Sequence, residues 1–362
     1  MKFRTVSVVL LLIAAIIMAI GCERKVVNES GGELQADASA CFSCHSDQDR
    51  DLRAAALQWQ TSKHASGDNV DRNRHNGYGS CERCHTSEGF LANLEGESAS
   101  GEYFTPFECF TCHAPHTNTS LEVRVQEAVA IANGATFDKG SANLCASCHQ
   151  GRRNVDTYVV DDVELSEHWG PHHSNQSDML IGSNAYEYGL EIDNSAHTNV
   201  TTEGCVMCHM SPSGDITLGG HSWNMHDEEK DHYNMTGCNV AACHNEEFEE
   251  GFERQADDDY DWDGGDPETV QAEIAGLVDS LEILLEEAGL LHDGHPVADV
   301  ITSADSAGAV FNWLFVVEDR SEGVHNTEYA VGILQASINY LTTGDPEGMP
   351  AGNKQRNFAN SR

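Results

Sequence analysis

Basic residues are scarce in this chain of 362 residues. Lys and Arg together number 20 against 59 Asp and Glu, which gives a formal net charge of −39 at pH 7. Proteins that bind nucleic acid contact its phosphates through Lys and Arg, so this balance excludes nucleic acid as a partner. An acidic surface instead favours solubility and association with cationic partners.

Long apolar runs are also scarce, and the one candidate covers residues 8–20, just after Lys2 and Arg4. This run is short for a membrane-spanning helix, which needs about 20 apolar residues. The basic residues followed by a short apolar run predict an export signal over residues 1–21. An uncleaved signal anchor is the alternative.

Residues 19–22, Ala-Ile-Gly-Cys, resemble a bacterial lipobox, although Ala19 stands where Leu is usual. We therefore expect lipid modification of Cys22, followed by a flexible tether over residues 22–38. Such an anchor would hold an exported protein at a membrane surface, facing the periplasm or the cell exterior.

Cysteine, in contrast, is plentiful, with 13 residues in the chain. Twelve of them form six pairs, and a His follows the second Cys of every pair. Five pairs have the spacing C-x-x-C-H of haem c attachment, whereas chance would give about 0.02 such motifs in a chain of this composition. Disulfides or zinc sites would not explain a His after each pair.

We therefore expect six covalently bound haems, with each motif His as the proximal iron ligand. The attachment cysteines are Cys41 and Cys44, Cys81 and Cys84, Cys109 and Cys112, Cys145 and Cys148, Cys205 and Cys208, and the more widely spaced Cys238 and Cys243. The proximal ligands are His45, His85, His113, His149, His209 and His244.

Thirteen of the 19 histidines remain as possible distal ligands. An iron with both axial positions filled transfers electrons, whereas an open one can bind substrate. In the sequence Pro-His-His-Ser we choose His172 over His173, which stays open. The six distal candidates are His64, His116, His172, His197, His221 and His325. The remaining histidines are expected to be surface residues or to contact haem propionates, although any of them could replace a weaker candidate: His75, His168, His226, His232, His292 and His295.

The fold expected from these spacings is mainly α with extensive loops wrapped around haems, and little β. Residues 39–250 form the hexahaem region. After removal of the signal the chain has about 57 residues per haem, too few for a separate protein core around each, so we expect the porphyrins themselves to be the core. An acidic linker follows over 251–267, then a helical module over 268–343 that supplies His325, and a disordered tail over 344–362. Periodic apolar residues predict helices over 270–285, 304–317 and 326–341, and residues 266–268 predict the first helix start.

The stretch from Asp259 to Gly264 copies the D-x-D-x-D-G opening of a calcium loop. Val270 occupies the twelfth position, where the loop needs Glu, although Glu268 could substitute. A calcium ion is therefore one expectation, and a solvated acidic linker is the other.

Several phrases resemble multihaem cytochromes of metal-respiring bacteria: Cys-His-Gln-Gly-Arg at 148–152, Cys-His-Met-Ser-Pro at 208–212 and Gly-Val-His-Asn at 323–326. This group is related in motif style to the cytochrome c nitrite reductase and hydroxylamine oxidoreductase superfamily, and the resemblance covers about residues 40–342. It implies closely stacked haems in a chain and long C-terminal helices. The longer C-x-x-x-x-C-H motif is also tolerated in such proteins.

The resemblance implies electron transfer through bis-histidine haems in the bacterial cell envelope, in respiratory or extracellular electron transfer, with other redox proteins as partners. An enzyme acting on nitrite or hydroxylamine at a haem with an open axial site is an alternative. The C-x-x-C-K motif of nitrite reductases is absent from the sequence, which disfavours it. A polymerising extracellular filament is a further alternative.

Overall fold

In a computed structural model, the described residues are 50–67, 70, 81–99, 103–114, 121–245, 248 and 251–348. The expected signal, Cys22, the tether, the first motif (Cys41, Cys44 and His45) and His116 lie outside them. The prediction of a mainly helical chain with little sheet is confirmed. No helix among the described residues is both long and apolar enough to cross a membrane.

Among the described residues, ten short helices precede the C-terminal module. They are α1 (Arg50–Gln60), α2 (Lys63–Ser66), α3 (Glu82–His85), α4 (Ser87–Leu94), α5 (Cys109–Cys112), α6 (Asn143–Ala146), α7 (Val155–Tyr158), α8 (Gln176–Ile181), α9 (His197–Val200) and α10 (Cys205–His209). Single 3-10 turns cover Gly140–Ala142 and Gly220–Ser222.

The sheet content of the described residues is four antiparallel pairs of two-residue strands. β1 (Val129–Ala130) pairs with β2 (Thr136–Phe137), and β4 (His226–Asp227) pairs with β5 (His232–Tyr233). β6 (Leu291–His292) pairs with β7 (His295–Pro296). β3 (Val163–Glu164) pairs with the distant β8 (Ile301–Thr302), which ties the C-terminal module to the motif region.

Three long helices form the C-terminal module: α11 (Val270–Glu287), α12 (Ala304–Asp319) and α13 (Thr327–Thr343). All three predicted helices are present, with ends two residues or fewer from the expected ones. The expected start at residues 266–268 is wrong, because Thr269 is the N-cap of α11 and its side chain accepts a hydrogen bond from Ala272 N.

Apolar packing is concentrated around these three helices. Leu277, Leu281 and Leu285 of α11 are fully buried in a large cluster that also contains Trp169 and Met179 from the motif region. Elsewhere the described clusters are small, such as the group of Ala56, Trp59 and Ala65. Most of the motif region is therefore built on little aliphatic core of its own.

Polar contacts fix one motif segment against the C-terminal helices. The fully buried Asn326 donates through Nδ2 to Met179 O (3.1 Å) and to Asn194 Oδ1 (2.6 Å), and its Oδ1 accepts from Ser195 N (2.9 Å). Asn175 Nδ2 donates to Phe315 O at 2.7 Å. These bonds hold α8 and the segment that leads to His197 in a defined place beside His325.

Candidate haem-binding sites

The described attachment motifs are formed by short helical turns. In α5 and α10 the cysteines of a motif lie three residues apart, so both thiols are on one side of the turn. His113 N donates to Cys109 O (3.0 Å), and His149 N donates to Cys145 O (2.8 Å). Each of these turns thus fixes the His relative to the first Cys of its motif.

The longer sixth motif reaches a similar local arrangement. His244 N donates to Cys238 O at 3.2 Å, although two additional residues separate the cysteines. The loop therefore returns the His to the carbonyl of the first Cys, as in the shorter motifs. The ten described cysteines of these motifs are free thiols.

Each of the five described motif histidines faces one of the distal candidates, and we number the sites two to six in the chain order of their motifs. The ring centres lie 6.0 Å apart for His64 and His149 and for His197 and His244. The other separations are 6.2 Å or 6.3 Å. These pairs are His85 with His172, His113 with His221, and His209 with His325.

This separation is the one expected for two imidazoles that share a metal ion. A metal about 2.0 Å from each ring nitrogen would place the two ring centres about 6 Å apart. Five pairs meet this distance, and each pair joins a motif histidine to a histidine from another part of the chain. The residues present therefore fit haem iron with two axial histidines.

Hydrogen bonds to Nδ1 orient several of these rings. His209 donates to Trp223 O (2.9 Å), His197 to Val324 O (2.7 Å), and His149 to Gln176 Oε1 (3.2 Å). His172 donates to Ser174 Oγ (3.1 Å), whose own proton goes to Gln150 O. A proton held at Nδ1 leaves the Nε2 lone pair for a metal, which is the usual arrangement of metal-binding histidines.

Most of the paired rings are held in the neutral form that a metal requires. Burial, with a smaller contribution from His149, lowers the pKa of His64 to about 4. Burial lowers the pKa of His209 to about 4 with a contribution from His325, and it lowers the pKa of His172 to about 4 with a contribution from Arg152. A neutral imidazole can bind iron without first losing a proton.

His325 differs from these rings. Burial lowers its pKa, but the adjacent carboxylate of Asp319 outweighs burial and raises the pKa to about 9. His325 Nδ1 lies 2.7 Å from Asp319 Oδ1, and the Asp319 side chain is 1% exposed. This carboxylate has no signature in the sequence, and sequence reasoning missed it.

The two adjacent histidines in the Pro-His-His-Ser segment have different surroundings. His172 faces His85, and its backbone φ of +83° is unusual for a residue with a side chain. His173 is 63% exposed, and its Nδ1 lies 2.6 Å from Glu318 Oε1. The structure therefore brings His172, and not His173, to a motif histidine.

The other described histidines have contacts of a different kind. His226 stacks on Tyr233 with ring centres 3.9 Å apart, and its Nε2 is 3.3 Å from Asp231. His292 Nε2 lies 3.5 Å from Asp293. His168, His232 and His295 are exposed. His75 lies outside the described residues.

Neighbouring sites contact one another through their thiols. The thiols of Cys84 and Cys148, of Cys145 and Cys205, and of Cys208 and Cys238 lie close enough to shift each other's pKa. Each of these pairs joins two different motifs. The contacts therefore order four sites as two, four, five and six.

Trp223 links site three to this row. Its ring packs edge-on against His64 of site four (4.7 Å) and lies 5.7 Å from His221 of site three. Its carbonyl accepts the Nδ1 proton of His209 in site five. Trp223 belongs to the phrase Gly-Gly-His-Ser-Trp around His221, but the sequence did not indicate this linking position.

A separate acidic cluster lies at the start of α11. Ligand oxygens of Asp259, Asp261 and Glu273 all lie within 4.8 Å of one another. Glu273 is 2% exposed and accepts hydrogen bonds from the backbone of Tyr260 and Glu268. Glu273, and not the side chain of Glu268, completes the group.

Within this cluster, one Asp259 oxygen is buried without a hydrogen-bond partner. Burial raises the pKa of Asp261, and the neighbouring carboxylate of Glu273 adds to the shift. Both observations indicate uncompensated negative charge at this position.

Comparison with known proteins gives one distant structural likeness. No family model matches the sequence, and no curated protein matches it. A solved structure of the outer cell wall cytochrome OcwA is similar at 22% identity and a TM-score of 0.48, over 78% of this chain and 49% of that one. This chain thus spans about half the length of that protein.

Proposed function

We propose that this protein is a hexahaem c-type cytochrome that transfers electrons through haems with two axial histidines. The observation that supports it most directly is the set of five motif histidines that each face a distal candidate at 6.0 to 6.3 Å. Disulfides among the thiols that contact each other across motifs would not require any of these ring pairs. The proposal accounts for the cysteines and the histidines together.

Bound haem supplies a reversible one-electron couple at its iron. The protein residues have three tasks in the proposal. The cysteine pairs attach the porphyrin, the paired rings bind iron from both sides, and the Nδ1 acceptors fix the orientation of those rings.

The order of the sites defines the electron path in the proposal. Sites two, four, five and six follow one another through contacts between their thiols, and site three joins at Trp223. Electrons would pass along this row and exchange with partners at its ends. The branch at Trp223 gives the row a further point of entry or exit.

The first motif extends this scheme to six haems. The five pairs use all the described motif histidines and all the distal candidates except His116. His45 and His116 therefore remain for site one. An open iron at this site is the condition for the alternative function, an oxidoreductase acting on nitrite or hydroxylamine.

The proposed location is the bacterial cell envelope, with lipid on Cys22 as the membrane anchor and other redox proteins as donor and acceptor. The support is the export pattern of the N-terminus and the anchoring strength of several acyl chains. Respiratory or extracellular electron transfer is the process that fits a conductor at this location.

The proposal includes a calcium ion at Asp259, Asp261 and Glu273. Carboxylate oxygens are the ligands that calcium prefers, and the unpartnered buried oxygen of Asp259 would gain a partner. The ion would neutralise charge where the acidic segment meets α11.

The test is to express the full chain in a host that matures c-type cytochromes, and to combine mass spectrometry with absorption spectra. We expect six added haem masses and a purely low-spin spectrum that carbon monoxide leaves unchanged. A high-spin fraction that binds nitrite would favour the enzyme. A chain without haem but with disulfides would refute the proposal.

A further inference from the structure

Asp319 lies at the end of α12, six residues before His325, and the backbone turns there through Arg320 with a φ of +60°. The Asp319 side chain is 1% exposed, and its Oδ1 lies 2.7 Å from His325 Nδ1. Its other oxygen, Oδ2, accepts a hydrogen bond from Ser321 Oγ. Arg320 is directed to Glu318 instead, at 3.6 Å.

The acceptors of the other orienting bonds are neutral. His149, His172, His197 and His209 donate to an amide oxygen, a hydroxyl and two backbone carbonyls. A carboxylate at Nδ1 draws the proton away from the ring and makes Nε2 a stronger donor to a metal. It also brings a buried negative charge close to the iron position, where ferric iron has one more positive charge than ferrous iron.

The position of His325 matches site five. The ring faces His209 at 6.2 Å, and the thiols of Cys205 and Cys208 are among the groups that interact with it. A buried carboxylate normally needs a compensating charge. An iron centre beyond the imidazole would provide that charge.

We propose that Asp319 acts through His325 to stabilise the oxidised form of the haem at site five, which lowers its reduction potential. Asp319 is a positioning residue, since it does not touch the iron. The inference rests on the proposed function, because it requires His325 to be a distal ligand. Site five lies between sites four and six, so this setting would control the passage of electrons along the row.

The experiment uses the holoprotein and redox titrations followed by haem absorption. In Asp319→Asn, an amide of the same shape replaces the carboxylate. The reduction potential of one of the six haems should then rise by at least about 59 mV, which is a tenfold shift of its equilibrium toward the reduced form. The low-spin electron paramagnetic resonance signal of one haem should change with it. The matched control is Glu318→Gln, which removes the adjacent charge. In this variant the redox equilibrium of every haem should stay within threefold of the wild-type value.

Ser321→Ala provides a test in the opposite direction. The Ser321 hydroxyl donates to Asp319 and also accepts a hydrogen bond from His325 N at 3.2 Å, so both bonds are lost in this variant. Loss of the first bond leaves the carboxylate a stronger acceptor, so the reduction potential of one haem should fall. If the variants only loosened the loop, Asp319→Asn and Ser321→Ala would change the reduction potential of this haem in the same direction. That result would refute the inference. If Asp319→Asn fails to mature, the direction of the Ser321→Ala shift decides.

His325→Ala separates the inference from the proposed function. This variant should convert one haem to a high-spin form that binds carbon monoxide. If it does and Asp319→Asn leaves all components unchanged, the inference is wrong and the proposed ligand stands. If His325→Ala stays fully low-spin, His325 is not a ligand, and the assignment of site five and the inference are both refuted.

Discussion

His172 and His173 are adjacent in one loop, and they provide a matched test of the ligand assignment. His172 faces His85 at 6.3 Å, whereas His173 is 63% exposed and bound to Glu318. Replacement of His172 should open one axial position among six haems, and replacement of His173 should open none. The expected signal is therefore one carbon monoxide per polypeptide in the first variant and zero in the second.

Glycine is the replacement of choice at His172. A residue with a side chain at a φ of +83° is under strain of about 1 to 3 kcal/mol, whereas glycine adopts this conformation freely. His172→Gly should therefore retain the loop, and His172→Ala should be the less stable variant by about 1 kcal/mol. In the proposed function, iron binding by this ring opposite His85 would offset the strain.

The assay is a carbon monoxide titration of the reduced protein, followed by its absorption change. Free imidazole added to His172→Gly should occupy the vacated position and return the spectrum to the low-spin form. Carbon monoxide binding to a His173 variant, with none to a His172 variant, would reverse the assignment. Binding to neither would show that site two takes its distal ligand from another residue.

Three further predictions concern other parts of the molecule. Trp223→Leu should lower the free energy of unfolding by about 2 to 4 kcal/mol, measured by denaturation with guanidinium chloride, because the indole packs between two paired rings; a loss below about 0.5 kcal/mol would contradict this. Burial raises the pKa of Asp178 to about 6. The contribution of this group to the free energy of unfolding is therefore complete below its unfolded pKa of 3.8, and it is lost as the pH rises through 6. Between pH 3.8 and pH 7, the free energy of unfolding of Asp178→Asn should therefore rise by about 3 kcal/mol relative to that of the wild type, as measured by urea denaturation. If the free energies of unfolding of the two proteins changed equally with pH, this prediction would be refuted. Calcium at one hundred times its Kd should stabilise the protein by about 2.7 kcal/mol in thermal melts, and the same gain in Glu273→Gln would exclude the acidic cluster as its site.

Local sequence signals predicted much of this structure. The attachment motifs are short, and each fixes its own turn. The helices α11, α12 and α13 follow from apolar residues spaced three and four apart, because one side of each helix must pack against its neighbours. The spacing of these residues also gave their ends to within two residues, whereas the capping residue of α11 was not identified.

Contacts between distant residues were not predictable in this way. The sequence offers candidates for distal ligands, but it does not say that His64 faces His149 or that His325 faces His209. Asp319 is one of many acidic residues in the chain, and only its burial against His325 distinguishes it. The start of α11 is fixed by Thr269, whose side chain accepts a hydrogen bond from Ala272 N, and not by residues 266–268.

The distribution of apolar packing explains why the proposed ligands come from distant segments. Aliphatic packing is extensive around α11, α12 and α13 and slight around the first described motifs. With few side chains to form a core, a motif region of this kind needs a link between segments. In the proposed function, a metal bound by two histidines would provide that link and would add its binding free energy to folding.

The C-terminal helices have a specific role in this scheme. The turn between α12 and α13 presents His325 to site five, and Gln176, which orients His149 of site four, donates to Glu318 O at 3.0 Å in the last turn of α12. Two central sites of the proposed row are thus supported by the most tightly packed part of the protein. Site six, in contrast, takes its motif from a loop, where residues such as Val240 and Cys243 are exposed. A rigid centre keeps the ligand geometry constant during repeated oxidation and reduction, whereas a loop at the end of the row can adapt to a redox partner.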